Sequence, residues 1–167
     1  MMDSMIILRH AHYAAFPNYI VQRDGHIITL GRPAEGERCD IILDGGIPLL
    51  PAADGKFYPV RNTGSGFAPD MLRAAVTYFY EYCQQNRWRG FIYYERYSTA
   101  QLAALERLLL DLCHKFRITN PYGKHTWQLC PERTTEGTPG IYTDASFCIN
   151  GPAVHPQPEL ITILKSL

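Results

Sequence analysis

The sequence predicts an α/β fold in a single domain. Three observations carry the prediction. Short runs of β-type residues crowd the first third of the chain, one long amphipathic helix stands out in the second half, and 167 residues support one core but are short for two. Met5–Arg9 (MIILR) is an apolar strand-like run followed directly by His10-Ala11-His12. In Asn18–Leu30, Tyr19, Val21, Ile27 and Thr29 alternate around Asp24-Gly25, a dipeptide suited to a type I′ hairpin turn. Arg32–Arg38 reads as a polar loop, and Cys39–Leu43 as a buried strand closed by Asp44-Gly45-Gly46. Pro48–Phe67 is rich in proline and glycine and predicts a long surface excursion.

Val76–Cys83 and Trp88–Tyr97 flank the polar Gln84–Arg87, and their β-branched and aromatic density predicts a hairpin; Leu72–Ala75 could instead begin a helix. The helix from Thr99 to Phe116 has the clearest signature. Leu102, Leu105, Leu109, Leu112, Cys113 and Phe116 recur on one face. Ser98 and Gln101 predict a capping box, each covering a backbone N–H that the first turn leaves unpaired. Arg117–Pro121 ends it, the chain is then loop-rich to Pro156, and Pro158–Leu167 predicts a short closing helix with proline in its first turn.

Sixteen basic and sixteen acidic residues cancel, so no whole-molecule field draws the chain to nucleic acid or an anionic membrane. Five cysteines with no C-x-x-C spacing argue against a disulfide framework and a structural zinc knuckle. Cys148 reads as a buried thiol and His125 as a solvated loop residue. No apolar run is long enough to span a membrane, and MMDSMIILRH lacks the charged and apolar regions of a signal peptide. The expectation is a cytoplasmic origin, with export requiring a non-standard route.

Four blocks in chain order share a pattern: YIVQRDGHI (Tyr19–Ile27), CDIILDGGIPLLPAADGKFYPV (Cys39–Val60), the stretch Trp88–Ile118 with WRGFIYYERYSTAQ, and GTPGIYTDASFCINGPAVHPQPEL (Gly137–Leu160). Together they resemble the zinc-dependent N-acetylmuramoyl-L-alanine amidases, the superfamily that includes the peptidoglycan-recognition proteins. The resemblance implies a central mixed β-sheet flanked by helices. In the branch most similar to this chain, the last block carries a zinc-ligand His after GTPGI-x-[ST], then a Lys that steadies the oxyanion and a zinc-ligand Asp before x-H-P-Q-P-E-L. Here those positions read Asp144, Gly151 and Ala153. Ile42 stands where the family's catalytic Glu is expected, and His10 where the first ligand ends its strand.

Such enzymes need an open three-ligand zinc, a general base and an oxyanion cation. The resemblance therefore implies a degenerate amidase with no catalytic residues, whose vestigial metal residues are His10, His12 and Asp144. Tyr93, Tyr94, Glu95, Tyr142 and Thr143 are the candidate substrate-binding residues. The expected ligand is a peptidoglycan fragment or a protein partner, with no cofactor. The alternatives are a divergent zinc amidase, using His10, Asp144 and a recruited His12, His125 or Cys148, and a structural or immunity-type interaction module. His155 reads as structural, holding the proline-rich turn before the last helix.

Overall fold

In a computed structural model, residues 4–10, 16–59, 77–78, 88–90, 93–149 and 153–167 are described. Their strands, in chain order, are β1 (Met5–His10), β2 (Tyr19–Val21), β3 (Ile27–Thr29), β4 (Arg38–Leu43), β5 (Pro48–Pro51), β6 (Phe57–Pro59), β7 (Thr77–Tyr78), β8 (Tyr93–Glu95) and β9 (Gly140–Thr143). The helices are α1 (Thr99–Lys115), α2 (Pro131–Glu136) and α3 (Pro158–Ser166). A five-stranded sheet has the order β3-β2-β4-β1-β9, and a four-stranded sheet the order β6-β5-β8-β7. In the larger sheet β4 runs parallel to both β1 and β2, β9 runs parallel to β1, and only the β2–β3 hairpin is antiparallel. The protein is thus an α/β fold built on a mixed sheet with flanking helices. No helix among the described residues is long and apolar enough to cross a membrane.

Side-chain alternation divides this sheet into two unequal layers. Ile6 and Leu8 of β1 join Cys39, Ile41 and Leu43 of β4, Val21 of β2 and Ile141 of β9 in the main core. That face is covered by Leu102, Leu105, Leu109 and Leu112 of α1 and by Leu160 and Leu164 of α3. Met5 and Ile7 take the other face, where they meet Tyr142 in a smaller cluster. β1 is therefore buried on both sides, which is why it reads as a continuous apolar run rather than an alternating one. Each fully buried aliphatic side chain in it contributes about 1.5–3 kcal/mol of transfer free energy.

The first hairpin forms where predicted, but not with a type I′ turn. Gln22 N donates to His26 O at 2.9 Å and Gly25 N to Gln22 O at 3.0 Å. Gly25 has φ +86°, while among the described residues the only non-glycine at positive φ is Arg117. A type I′ turn needs both central residues there, so this is a three-residue loop closed by a left-handed glycine. Asp24 instead accepts the His26 N–H at 2.9 Å. A Cβ on Gly25 would also come within 2.9 Å of the Ala100 carbonyl oxygen, at the start of α1.

The same loop recurs between β5 and β6, with Ala52 N to Lys56 O at 2.9 Å, Gly55 N to Ala52 O at 3.0 Å and Gly55 at φ +77°. The start of the predicted surface excursion is therefore a second hairpin; residues 60–67 lie outside the described ones. Thr77–Tyr78 pairs antiparallel with β8, as a hairpin requires, and the rest of Val76–Cys83 lies outside the described residues. The loop-rich reading of the stretch before Pro156 also needs correction. It contains α2 and the fully buried β9, whose short length and flanking Pro139 and Asp144 mask its strand character in sequence.

Ser98 caps α1, accepting from Gln101 N at 3.0 Å. The reciprocal half of the capping box does not form. Gln101 is fully buried and turns its amide into the core, donating to Val21 O at 2.9 Å and Asp44 O at 2.6 Å. Those carbonyls close β2 and β4, where the ladder stops and buried acceptors need a donor. Tertiary demand outweighs local capping here.

Candidate functional site

The residues of chemical interest gather where β1 and β9 end. Arg9 is only 5% exposed. Its Nε lies 2.9 Å from Asp40 Oδ1 and its Nη1 lies 2.8 Å from Asp144 Oδ1. Asp40 also receives Arg38 Nε at 3.2 Å. Strand geometry explains the convergence. Ile7 stands opposite Asp40 and Arg9 opposite Ile42 in the parallel register, so Arg9 and Asp40 share the face opposite the main core.

Asp144 is placed by the turn that follows β9. Thr143 caps this short 3-10 turn, Asp144–Ser146, through its hydroxyl, which accepts from Ala145 N at 3.2 Å. That hydroxyl in turn donates to Thr126 O at 2.6 Å, and Ser146 Oγ donates to His125 O at 2.6 Å. The turn is thereby sewn to a second 3-10 turn, Lys124–Thr126, through buried hydroxyls. Two arginines and two aspartates cancel in charge. Arg9 and Asp144 are the driest of the four, and breaking a buried pair of this kind typically costs about 3–5 kcal/mol.

His10, the next residue, addresses the opposite face. Its Nε2 lies 2.7 Å from the Ala153 carbonyl oxygen. Beside it is His155, fully buried, with its ring 3.8 Å from that of Tyr94 and edge-on to Trp88 at 6.3 Å. Burial, and then the proximity of His10, pushes the His155 imidazole down to about 2, so it is neutral at physiological pH.

The rest of HPQPEL works as a clamp. Gln157 donates to Glu95 O at 2.9 Å and accepts from Tyr97 N at 3.2 Å, satisfying the backbone at the end of β8 with a side-chain amide. Glu159 pairs with Arg96, and Leu160 is sunk in the main core. This C-terminal HPQPEL segment thus ties α3 to the smaller sheet.

The candidate substrate-binding residues are distributed, and most face inward. Tyr94 is buried and donates to Trp88 O; Glu95 is buried and ion-pairs with Arg23. Tyr142 is fully buried, donates to Thr138 O at 2.6 Å, and has its phenol raised by burial above all. Thr143 is fully buried as well, and Tyr93 alone of the five is half-buried. His12 and Gly151 lie outside the described residues.

His125 is buried rather than solvated: its Nε2 lies 3.2 Å from Pro121 O and its ring 5.0 Å from Tyr142. Burial, and then Arg133, lowers its pKa. Cys148, read from sequence as buried, is exposed because the turn after β9 carries it outward.

His10 and Asp144, the two described members of the expected ligand set, do not converge on one position for a zinc ion. The Asp144 carboxylate is engaged by a buried guanidinium, and His10 leaves from the other face of β1 toward a backbone carbonyl. Among the described residues, no group of three or more His, Cys, Asp or Glu is arranged to hold a metal ion. Arg9 is the residue that sequence reasoning passed over. Its signal was present: an arginine in an apolar strand, in phase with Met5 and Ile7, must be buried and must find carboxylates.

Comparison with known protein families, curated proteins and solved structures finds no match to this chain.

Proposed function

We propose that the chain is an amidase-like protein that binds and does not hydrolyse, its ligand a peptidoglycan fragment carrying a stem peptide. The observation that supports this most directly is the Arg9–Asp144 ion pair at 2.8 Å. In the pattern the sequence resembles, Asp144 stands at a zinc-ligand position. To ligate there it would have to release Arg9 and leave a buried guanidinium short of a partner. At the other key positions Ala153 has no donor side chain and Gly151 no cation for an oxyanion. Oxyanion stabilisation and general-base action are typically worth about 10²–10³-fold and 10²–10⁴-fold respectively, so losing both removes useful turnover.

A protein partner is the second reading. It is supported by exposed Leu129, Phe147 and Ile149, carried on two segments that the Cys130 N to Ser146 O bond of 3.1 Å holds side by side.

The test is calorimetric titration with muramyl peptides, in parallel with chromatography for released stem peptide in the presence of zinc. Saturable binding without release is the expected result. Zinc-dependent release would overturn the reading. No binding of any muramyl peptide would remove the peptidoglycan ligand and leave the protein partner.

A further inference from the structure

We propose that the Arg9 guanidinium is a built-in substitute for a metal ion, cross-linking the end of β1 to β4 and to the turn after β9 and excluding divalent cations from that face. The end of β1, the body of β4 and the residue after β9 each turn a charged group to the same face. β1 supplies the cation Arg9, β4 supplies Asp40, and the residue after β9 supplies Asp144. Carboxylates from two flanking elements around a central positive charge are the arrangement by which a metal ion would tie such elements together. Here the central charge is covalently part of the chain.

Two consequences follow. The cross-link needs no loading and survives chelators. A divalent ion approaching Asp144 would meet a fixed guanidinium 2.8 Å from the carboxylate oxygen, with Arg38 Nε 3.2 Å from the same Asp40 oxygen that Arg9 engages. Repulsion at that range in a buried site opposes binding strongly.

The inference shares with the proposed function the view that Asp144 stands at a former ligand position, but its test uses metal alone. Zinc and cobalt are titrated into protein purified without chelators, reading thermal stability and, for cobalt, the visible ligand-field bands. The wild type is expected to show no metal-dependent rise in Tm and no such bands. Arg9→His replaces the permanent cation between the same two carboxylates by an imidazole, which a metal ion can deprotonate and ligate. It should acquire cobalt bands and, at zinc about a hundredfold above its Kd, a Tm higher by roughly 5–10 °C than without zinc. Arg9→Lys keeps the charge and should remain metal-blind.

A wild-type protein that binds zinc, with binding lost in Asp144→Asn, would overturn the inference. So would a folded Arg9→His that gains no metal response. If Arg9→His does not fold, wild type and Asp144→Asn decide. The inference expects Asp144→Asn to lose stability equally with and without zinc, whereas a ligand role expects the loss only with zinc. Absence of muropeptide binding would leave these outcomes untouched, and metal binding without hydrolysis would sink this inference alone.

Discussion

Replacing Asp144 by alanine is the sharpest perturbation of this molecule. The Arg9 and Asp144 side chains are each only 6% exposed and meet at 2.8 Å. Water therefore cannot take over when the carboxylate is removed. Arg9 keeps Asp40, so the loss should fall at the lower end of the range for breaking a buried pair, about 3 kcal/mol. For a chain of this size that corresponds to a fall in Tm of roughly 6–12 °C. Urea denaturation gives the free energy directly, provided the dependence on urea is unchanged between variants. Arg9→Met should cost a similar amount, because it takes the guanidinium from buried Asp144 and leaves Asp40 with Arg38.

The double variant is the informative one. If the side chains act as a unit, Arg9→Met combined with Asp144→Ala should cost less than the sum of the single losses, by about 1–3 kcal/mol. Strictly additive losses, with Asp144→Ala costing under about 1 kcal/mol, would place the pair among surface ion pairs and refute the reasoning.

Two further outcomes follow from buried polar groups. Gln101→Ala removes the donor to Val21 O and Asp44 O, and should cost about 2–3 kcal/mol by urea denaturation, well beyond the loss of a helix cap alone. His155 has a folded pKa of about 2 against an ordinary value of 6.5, so between those values the unfolded chain binds the extra proton. Its stabilising contribution is complete above about pH 6.5 and is lost progressively as pH falls toward 2, at about 1.4 kcal/mol per pH unit. His125, also lowered, acts in the same direction. Stability measured at about pH 5 should thus be lower than at about pH 7.5 by about 2 kcal/mol from His155 alone, and a His155→Phe variant should flatten that slope. A pH profile that is flat for wild type would contradict the buried neutral imidazole.

The elements legible in the sequence were those whose signal is local. The spacing of Leu102, Leu105, Leu109 and Leu112 marks α1, Asp24-Gly25 marks the first hairpin, and Pro158 marks the start of α3. What sequence could not supply were decisions taken by partners far along the chain. Gln101 reads as a capping residue until the ends of β2 and β4 compete for its amide. Gly140–Thr143 reads as part of a motif until β1 offers it a parallel edge. In the candidate site, Arg9 is the residue on which Asp40 and Asp144 converge. The family resemblance implies that Asp144 lies near His10, but which β1 side chain it meets depends on register and turn geometry. Tyr94, Glu95 and Tyr142 look like contact residues because aromatic and acidic groups often are. Their burial follows from the second sheet and from the layer that packs on Tyr142, neither of which periodicity reveals.

The alternation along β1 also bears on how the chain avoids misfolding. Sliding this strand by one position would thrust a guanidinium among the leucines of α1 and leave an imidazole to face two carboxylates. A run of plain aliphatic residues would tolerate such slippage, whereas the charged group at position 9 makes a one-residue slip expensive. A single arginine thereby acts as an index mark, telling a short parallel strand where along its neighbours to stop.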